Sequence, residues 1–190
     1  MNSETSGDPV AVAMMANLVR SNAHNLDPLI IGVDPGISGA LVLLDPATMR
    51  IWKWTDMPVI EAGGKRTVSA TMLALTIAEW ASLASATGRR LQAIVEEVGA
   101  MPGQGVTSMF SFGRSFGTLI GVLAGTGVAT EFARPAAWKK GAGLTKDKGA
   151  ARKAAQERFP DAAGVFAQVK DDGRAEAALL ARWRAERGKA

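Results

Sequence analysis

Apolar and polar positions follow two different periods along the chain, and together they predict a mixed α/β arrangement. Short apolar runs bounded by turn-forming residues predict strands at 29–33, 39–44, 50–54, 91–95 and 128–132. Apolar residues at helical spacing predict helices at 67–86, 107–124, 146–159 and 172–187. The first three strands follow one another as a meander, whereas the later strands alternate with helices. This order predicts an α/β fold in which helices flank a mixed central sheet.

Length and composition limit the number of domains. With 190 residues, 47% of them hydrophobic and 21% charged, the chain can bury the core of one domain. Residues 1–28 hold one arginine against three acids, and their apolar run is too short to cross a bilayer. We therefore expect a loosely ordered leader at 1–28, one domain at 29–190, a cytoplasmic location and no membrane partner.

The rarest residue types restrict the chemistry that the chain can perform. Cysteine is absent and His24 is the single histidine, which excludes disulfides, zinc-thiolate sites and cysteine nucleophiles. A metal site in this chain must rest on carboxylate oxygens, the ligands that Mg²⁺ prefers.

Two strand ends supply the first candidate ligands. Asp34 closes an apolar run and must reach solvent, a donor or a cation; the alternative is that it only forms a turn with Pro35 and Gly36. Glu96 and Glu97 follow the strand at 91–95 and point to opposite faces. Only one of these two can face Asp34. We assign Glu96 to the metal site, and Glu97 is the alternative. If neither has a function, the residue is simply a solvent-facing glutamate at the end of a strand.

The last predicted helix carries two more candidates, Asp172 and Glu176. Their spacing of four places both carboxylates on one helix face, with Cβ atoms about 5–6 Å apart. A capping box requires a spacing of three, and like charges at a spacing of four are mildly destabilising, so we expect a cation between them. Two divalent ions held by such acids drive attack of water on a phosphodiester. The four acids thus predict a site for two Mg²⁺ ions, with Mn²⁺ as a substitute.

Basic residues concentrate in the segment from Arg134 to Arg158, the basic segment. It has eight basic residues and two acids, a net charge of +6, whereas the whole chain carries +4. This charge predicts a nucleic-acid surface, although a solvated helix face is the alternative. The predicted DNA contacts are Arg134, Lys139, Lys140, Lys146, Lys148, Arg152 and Lys153. For Trp138, within the same segment, packing in the core is the favoured role.

Three motifs carry a family resemblance. They are Ile30–Gly36 with Gly39-Ala40 after it, Ile94–Val98, and Asp171–Ala177. In this order and at these separations they resemble the RuvC-type Holliday-junction resolvases, especially the phage and chloroplast branches of this ribonuclease-H-like group. The resemblance spans residues 29–183.

The resemblance implies a ribonuclease-H-like fold and Mg²⁺-dependent cleavage of four-way junctions by paired symmetric nicks. It implies a homodimer in a bacterial or phage-infected cell, acting in DNA recombination and repair without a nucleotide cofactor. Asp34, Glu96, Asp172 and Glu176 correspond to the family's metal-binding acids. In the bacterial branch the last pair is spaced by three, so Asp171 is a possible substitute. Lys146 or Lys148 corresponds to a basic residue near the scissile phosphate.

Other functions remain open at this point. A junction-binding protein without catalysis would use the basic segment but no metal, and another ribonuclease-H-like nuclease could cut flaps or RNA–DNA hybrids. The loop at 101–105 either enters the junction to read bases or is a plain loop. A sugar-kinase or actin-like fold also has an aspartate after its first strand, but it needs a duplicated domain that this chain lacks.

Overall fold

A computed structural model describes residues 26–99, 103, 105–145 and 149–188. Its strands are β1 (Leu29–Asp34), β2 (Ala40–Asp45), β3 (Arg50–Asp56), β4 (Val59–Ala62), β5 (Lys65–Val68), β6 (Leu91–Glu96) and β7 (Ala129–Ala133). Its α-helices are α1 (Ala70–Ala86), α2 (Val106–Gly125), α3 (Pro135–Gly141), α4 (Ala150–Arg158) and α5 (Asp172–Arg187). Two 3₁₀ segments, Pro160–Phe166 and Val169–Asp171, connect α4 to α5.

The main sheet has five strands in the order β3-β2-β1-β6-β7. Strands β1, β2 and β3 pair antiparallel as a meander, whereas β6 pairs parallel with β1 on one side and with β7 on the other. The predicted mixed α/β sheet is therefore confirmed. Because β1 and β6 are parallel neighbours, their carboxyl ends lie side by side at one edge of the sheet.

The segment at 59–68 differs from the prediction. We predicted a polar loop and a helix from residue 67, but β4 and β5 form a separate two-stranded hairpin. Gly63 and Gly64 make its turn with φ of 60° and 72°, values that suit a tight hairpin turn and that glycine adopts without strain. Helix α1 begins only at Ala70, after Ser69 accepts a hydrogen bond from the Met72 amide at 3.3 Å. The pairing of Val68 with Val59 keeps it in the strand.

The basic segment also differs from the prediction. A short helix, α3, that the periodicity did not reveal begins at Pro135, a residue suited to the first helical turn. Helix α4 begins at Ala150 after the left-handed Gly149, later than the predicted start at Lys146. Residues 146–148, including Lys146 and Lys148, lie outside the described residues, as do most of the proposed leader and of the loop at 101–105.

Alternating residues of the central strands face two separate cores. Ile30, Val42 and Ile94 pack beneath α5, where the contacts come mainly from alanines. Ile31 and Val33 face the opposite core, which is built with α1 and α2. The close approach of α5 depends on Gly32, because a Cβ there would lie 2.0 Å from the carbonyl oxygen of Ala177. This packing sets the first turns of α5 against the carboxyl end of β1.

No helix in the described part of the chain is long and apolar enough to span a membrane.

Candidate active site

Asp34 lies at the carboxyl end of β1 and is largely buried. Its Oδ1 accepts a hydrogen bond from the Gly36 amide at 3.1 Å, the turn contact that the sequence offered as an alternative role. Burial, helped by the nearby Glu176 and Glu96, raises the pKa of Asp34 to about 6 against the opposing effects of the Gly36 amide and Lys139. The turn contact and the acidic neighbourhood therefore coexist at this residue.

Glu96 ends β6, next to β1, and its side chain is almost fully buried. Its Oε1 accepts a hydrogen bond from Trp138 Nε1 at 2.9 Å. Glu97 is instead exposed and pairs with Arg134 at 3.3 Å. Of the two neighbouring glutamates, Glu96 is thus the one that faces Asp34, because side chains alternate along a strand.

Glu176 reaches the same place from α5. Both of its carboxylate oxygens accept hydrogen bonds from Lys139 Nζ at 2.9 Å. The first turn of α5 approaches Asp34 closely because Gly173 has no side chain. A Cβ at Gly173 would lie 3.0 Å from Asp34 Oδ2 and 2.7 Å from the carbonyl oxygen of Ser38.

Lys139, on α3, is the cation that joins these acids. Its Nζ also lies 3.5 Å from Glu96 Oε1 and 5.2 Å from the centroid of the Trp138 ring. Burial lowers the pKa of Lys139, but the contacts with Glu176 and Glu96 outweigh burial and raise it overall. We call Asp34, Glu96, Glu176 and Lys139 the site cluster. It sets three carboxylates against one ammonium.

The two aspartates at the start of α5, Asp171 and Asp172, have partners outside the site cluster. Asp172 is exposed, and its Oδ1 accepts a hydrogen bond from Arg152 Nε at 2.7 Å. Each of the two acids thus has its own basic partner, Arg152 for Asp172 and Lys139 for Glu176, and a cation shared between them stays a prediction. Asp171 points into the protein, where its Oδ2 accepts from the Gln168 amide at 2.8 Å and its Oδ1 lies 2.9 Å from Arg174 Nη1.

The predicted DNA contacts occupy several different environments. A groove of about 720 Å³ beside the site cluster is bordered by Lys139, Lys140 and Thr145 on one side and by Asp172 and Glu176 on the other. Lys153 is exposed on α4, while Arg134 and Arg152 make the ion pairs already described.

The donor set suits a hard cation, although the side chains stand in an ion-paired arrangement. Among residues 26–99, 103, 105–145 and 149–188, no three acidic or histidine side chains are arranged to hold a metal ion as they stand. Lys139 lies between Glu96 and Glu176 and supplies the positive charge there. Three carboxylates against one ammonium still leave negative charge uncompensated, which fits a divalent ion.

Two contributions were missed by the sequence reasoning. Lys139 was assigned only to DNA, and Trp138 only to the core; Trp138 is indeed fully buried, but it also orients Glu96. The sequence held a sign that both residues lie near the site. Trp138 and Lys139 follow the strand that neighbours β6, and they lie one turn after a proline suited to begin a helix.

Comparisons with known proteins bear on the fold. No protein-family model and no curated protein matches the sequence. Among solved structures, the Thermus thermophilus RuvC in complex with Holliday junction substrate matches with a TM-score of 0.56 and 16% identity, over 86% of this chain and 96% of that one. A further Thermus thermophilus RuvC structure matches with a TM-score of 0.50 and 15% identity, over 85% and 95% of the two chains. The chain therefore has the ribonuclease-H-like fold of the RuvC Holliday-junction resolvases.

Proposed function

We propose that this protein is a Mg²⁺-dependent endonuclease that cleaves four-way DNA junctions. The observation that carries the proposal is the meeting of Asp34, Glu96 and Glu176, from β1, β6 and α5, around one lysine ammonium. The fold adds support, since one structural neighbour was solved with a Holliday junction. Three acids from three distant segments, gathered next to a groove with a basic border, favour phosphodiester chemistry over mere solvation of the surface.

The energetics of Asp34 support binding of a divalent cation. A buried carboxylate next to two others is costly to ionise, which is why the pKa of Asp34 rises to about 6. A cation of charge +2 removes this cost more completely than the shared ammonium does. Asp34, Glu96 and Glu176 would hold the metal, with Lys139 displaced from its present position. Two Mg²⁺ ions, or Mn²⁺ in their place, would supply Lewis acidity for attack of water on the phosphodiester.

The protein's own residues have distinct roles in this proposal. Trp138 holds Glu96 in one orientation through its indole N–H, as residues behind metal ligands commonly do. Lys139, once released, can neutralise charge on a phosphate oxygen in the adjoining groove. Asp172 lines the same groove as Glu176 and would be the fourth acid to hold the metal, with Arg152 as its partner when no metal is bound. Asp171 is buried against Arg174 and Glu97 is exposed beside Arg134, whereas Asp172 lines the groove with Glu176 and Glu96 contacts Lys139; these positions favour Asp172 and Glu96 over the alternatives.

The DNA-binding role of the basic segment belongs to the same proposal. Lys139 and Lys140 border the groove, Arg152 contacts Asp172 on its acidic side, and Lys153 is exposed on α4; we assign all four to attraction of the phosphate backbone. Lys146 and Lys148 belong to the chain between Thr145 and Gly149, both of which line this groove. We therefore assign them to phosphate contacts near the cleaved bond.

A homodimer completes the proposal, because a four-way junction is nearly two-fold symmetric and paired nicks need two sites. Helix α2 offers a face suited to a second copy. Val106 and Phe110 are 84% and 73% exposed, and Gly113, Gly117 and Gly121 continue the same face with open space above them. Exposed apolar side chains next to a row of glycines allow two helices to approach closely.

The direct test is a cleavage assay with a synthetic four-way junction. We expect paired nicks with Mg²⁺, none with EDTA, and none for Asp34→Asn in either buffer, while this variant still binds the junction in EDTA. Plain duplex, a flap and an RNA–DNA hybrid serve as competing substrates. Preferential cleavage of the flap or hybrid would assign another nuclease activity, and binding without cleavage by the wild type would leave a junction-binding protein.

A further inference from the structure

A second groove, the hairpin groove, lies between the β4–β5 hairpin and the first half of α2. Its volume is about 520 Å³, within the usual range for ligand pockets of roughly 300–1,000 Å³. Lys65 and Arg66 form its rim, and Ile37 and Phe112 provide apolar surface. Hydroxyl groups of Thr107, Ser108 and Ser111 line the rest. The groove therefore combines positive charge, an aromatic ring and hydrogen-bonding groups.

The hairpin groove adjoins the site cluster through the turn after β1. Arg66 Nη2 donates a hydrogen bond to the carbonyl oxygen of Ile37 at 3.4 Å, which ties the hairpin to this turn. Ile37 follows Asp34 by three residues in the chain. A strand of nucleic acid that places a phosphate at the site cluster thus has the hairpin groove within reach of a neighbouring nucleotide.

We propose that the hairpin groove holds one unpaired nucleotide of the DNA substrate, with its base against Phe112 and its phosphate on Lys65 and Arg66. The proposal rests on the proposed function, in that DNA is the partner. Branched DNA offers such a nucleotide, because bases at the branch point can leave their stack at less cost than bases in continuous duplex.

The surface around Phe112 suits a nucleobase. The ring of Phe112 lies nearly parallel to that of Phe116, with centroids 6.4 Å apart and an interplanar angle of 14°, which limits its movement. Every base has a flat π-face that can stack on such a ring. Hydroxyl groups both donate and accept hydrogen bonds, so the seryl and threonyl side chains can serve the edge of any base. We therefore expect little preference among the four bases.

Charge complementarity favours a nucleotide over a protein segment. Among the described residues that line the groove none is acidic, while Lys65 and Arg66 are both exposed on its rim. Arginine and lysine at this position match the charge of a phosphodiester. The apolar face of α2 that we assign to a second copy, with Val106 and Phe110, lies on the other side of the helix, so the two surfaces do not compete.

The test compares two single strands of equal charge in EDTA: an oligothymidylate about 12 nucleotides long and an abasic strand of the same length. The wild-type protein should bind the oligothymidylate more tightly. Phe112→Leu, which keeps apolar bulk, should weaken that binding about tenfold and leave the abasic strand unaffected. Phe132→Leu is the matched control, since Phe132 is 49% exposed and contacts Phe116 without lining the groove. It should change neither affinity.

The basic rim gives a second measurement with a different signature. Lys65→Gln and Arg66→Gln should weaken binding of both strands equally, and each should reduce the slope of log affinity against log salt by about 1. Equal binding of both strands by the wild type, an equal effect of Phe112→Leu on both, or a change in oligomeric state in that variant would overturn the proposal. These assays need no cleavage, so loss of the base pocket and loss of the nuclease assignment are distinguishable results.

Discussion

Two groups of acids meet α5 at its first turns, and their charge is balanced very differently. The site cluster holds Asp34, Glu96 and Glu176 against Lys139 alone. The second group, the arginine cluster, consists of Arg174, Asp56, Asp171 and Trp54. Arg174 binds Asp56 through two hydrogen bonds of 2.5 and 2.7 Å, pairs with Asp171 at 2.9 Å and covers the Trp54 ring at 4.0 Å.

The ionisation of one acid in each cluster reports this difference. Burial raises the pKa of Asp34, whereas the Arg174 guanidinium, helped by Lys170, lowers the pKa of Asp56. Arg174 and the nearby Lys170 thus match the two acids of the arginine cluster, Asp56 and Asp171. In the site cluster the acids outnumber the cation, and the fold tolerates the excess. Matched charges suit a group of ion pairs that holds α5 against β3. An excess of buried acid instead suits a cation-binding site.

The largest expected effect separates the two clusters by activity. Glu176→Gln should reduce junction cleavage about 1,000-fold, since it removes a proposed metal ligand, yet the amide can still accept a hydrogen bond from Lys139. Asp56→Asn, the counterpart in the arginine cluster, should leave the cleavage rate of the folded protein unchanged. Single-turnover cleavage with Mg²⁺ measures both. Equal losses in the two variants would remove the functional distinction between the clusters.

The stability of the folded protein should depend strongly on the arginine cluster, whose loss is not expected to affect cleavage. Arg174→Met leaves Asp171, whose side chain is only 3% exposed, without a counter-ion, and should lower the free energy of unfolding by about 3 kcal/mol. Urea denaturation measures the change. Lys53→Met is the control, because Lys53 and Glu79 form an ion pair of 3.7 Å between exposed side chains; it should cost less than about 0.5 kcal/mol. If both variants lost similar amounts of unfolding free energy, the arginine cluster would have no special role in holding α5 against β3.

Removal of the charge of Asp34 should stabilise the metal-free protein. Its folded pKa of about 6 lies above the ordinary aspartate value of 3.8, so ionisation costs stability as pH rises from 3.8 to 6 and the cost is constant above that range. In EDTA at pH 8, Asp34→Asn should therefore raise the free energy of unfolding by about 2 kcal/mol, allowing for partial exposure. Below pH 4 the two proteins should match. Millimolar Mg²⁺ should stabilise only the wild type, and a less stable variant in EDTA would contradict the charge argument.

The sequence was sufficient for the elements that have long or clear patterns. The meander, the parallel strands and α5 follow from periodicity, and strand alternation gave a choice between Glu96 and Glu97 that only packing decides. The two-residue glycine turn of the β4–β5 hairpin was read as a loop, because the strands on either side have four residues each. Helix α3 spans seven residues, too few for a visible period.

The partners of the acids were harder to predict than the acids themselves. Asp172 and Glu176 differ in environment because α3 brings Lys139 to Glu176 while α4 brings Arg152 to Asp172. These contacts depend on where two short helices pack against α5, and spacing along α5 carries no information about that. The candidate acids could thus be found from sequence, whereas their charge compensation required the structure.

The smallest expected effect on cleavage comes from replacing the tryptophan that contacts each cluster, Trp138 in the site cluster and Trp54 in the arginine cluster. Trp138→Phe keeps an aromatic ring in the core but removes the N–H that Glu96 accepts, so it should cost about 1 kcal/mol of stability and reduce cleavage about tenfold. Trp54→Phe keeps a ring beneath Arg174 and removes no hydrogen bond to an acid, so cleavage should be unchanged. Urea denaturation and single-turnover cleavage distinguish the two. If Trp138→Phe lost stability without losing cleavage, the indole would serve packing alone, and the orientation of Glu96 would depend on Lys139 and the bound metal.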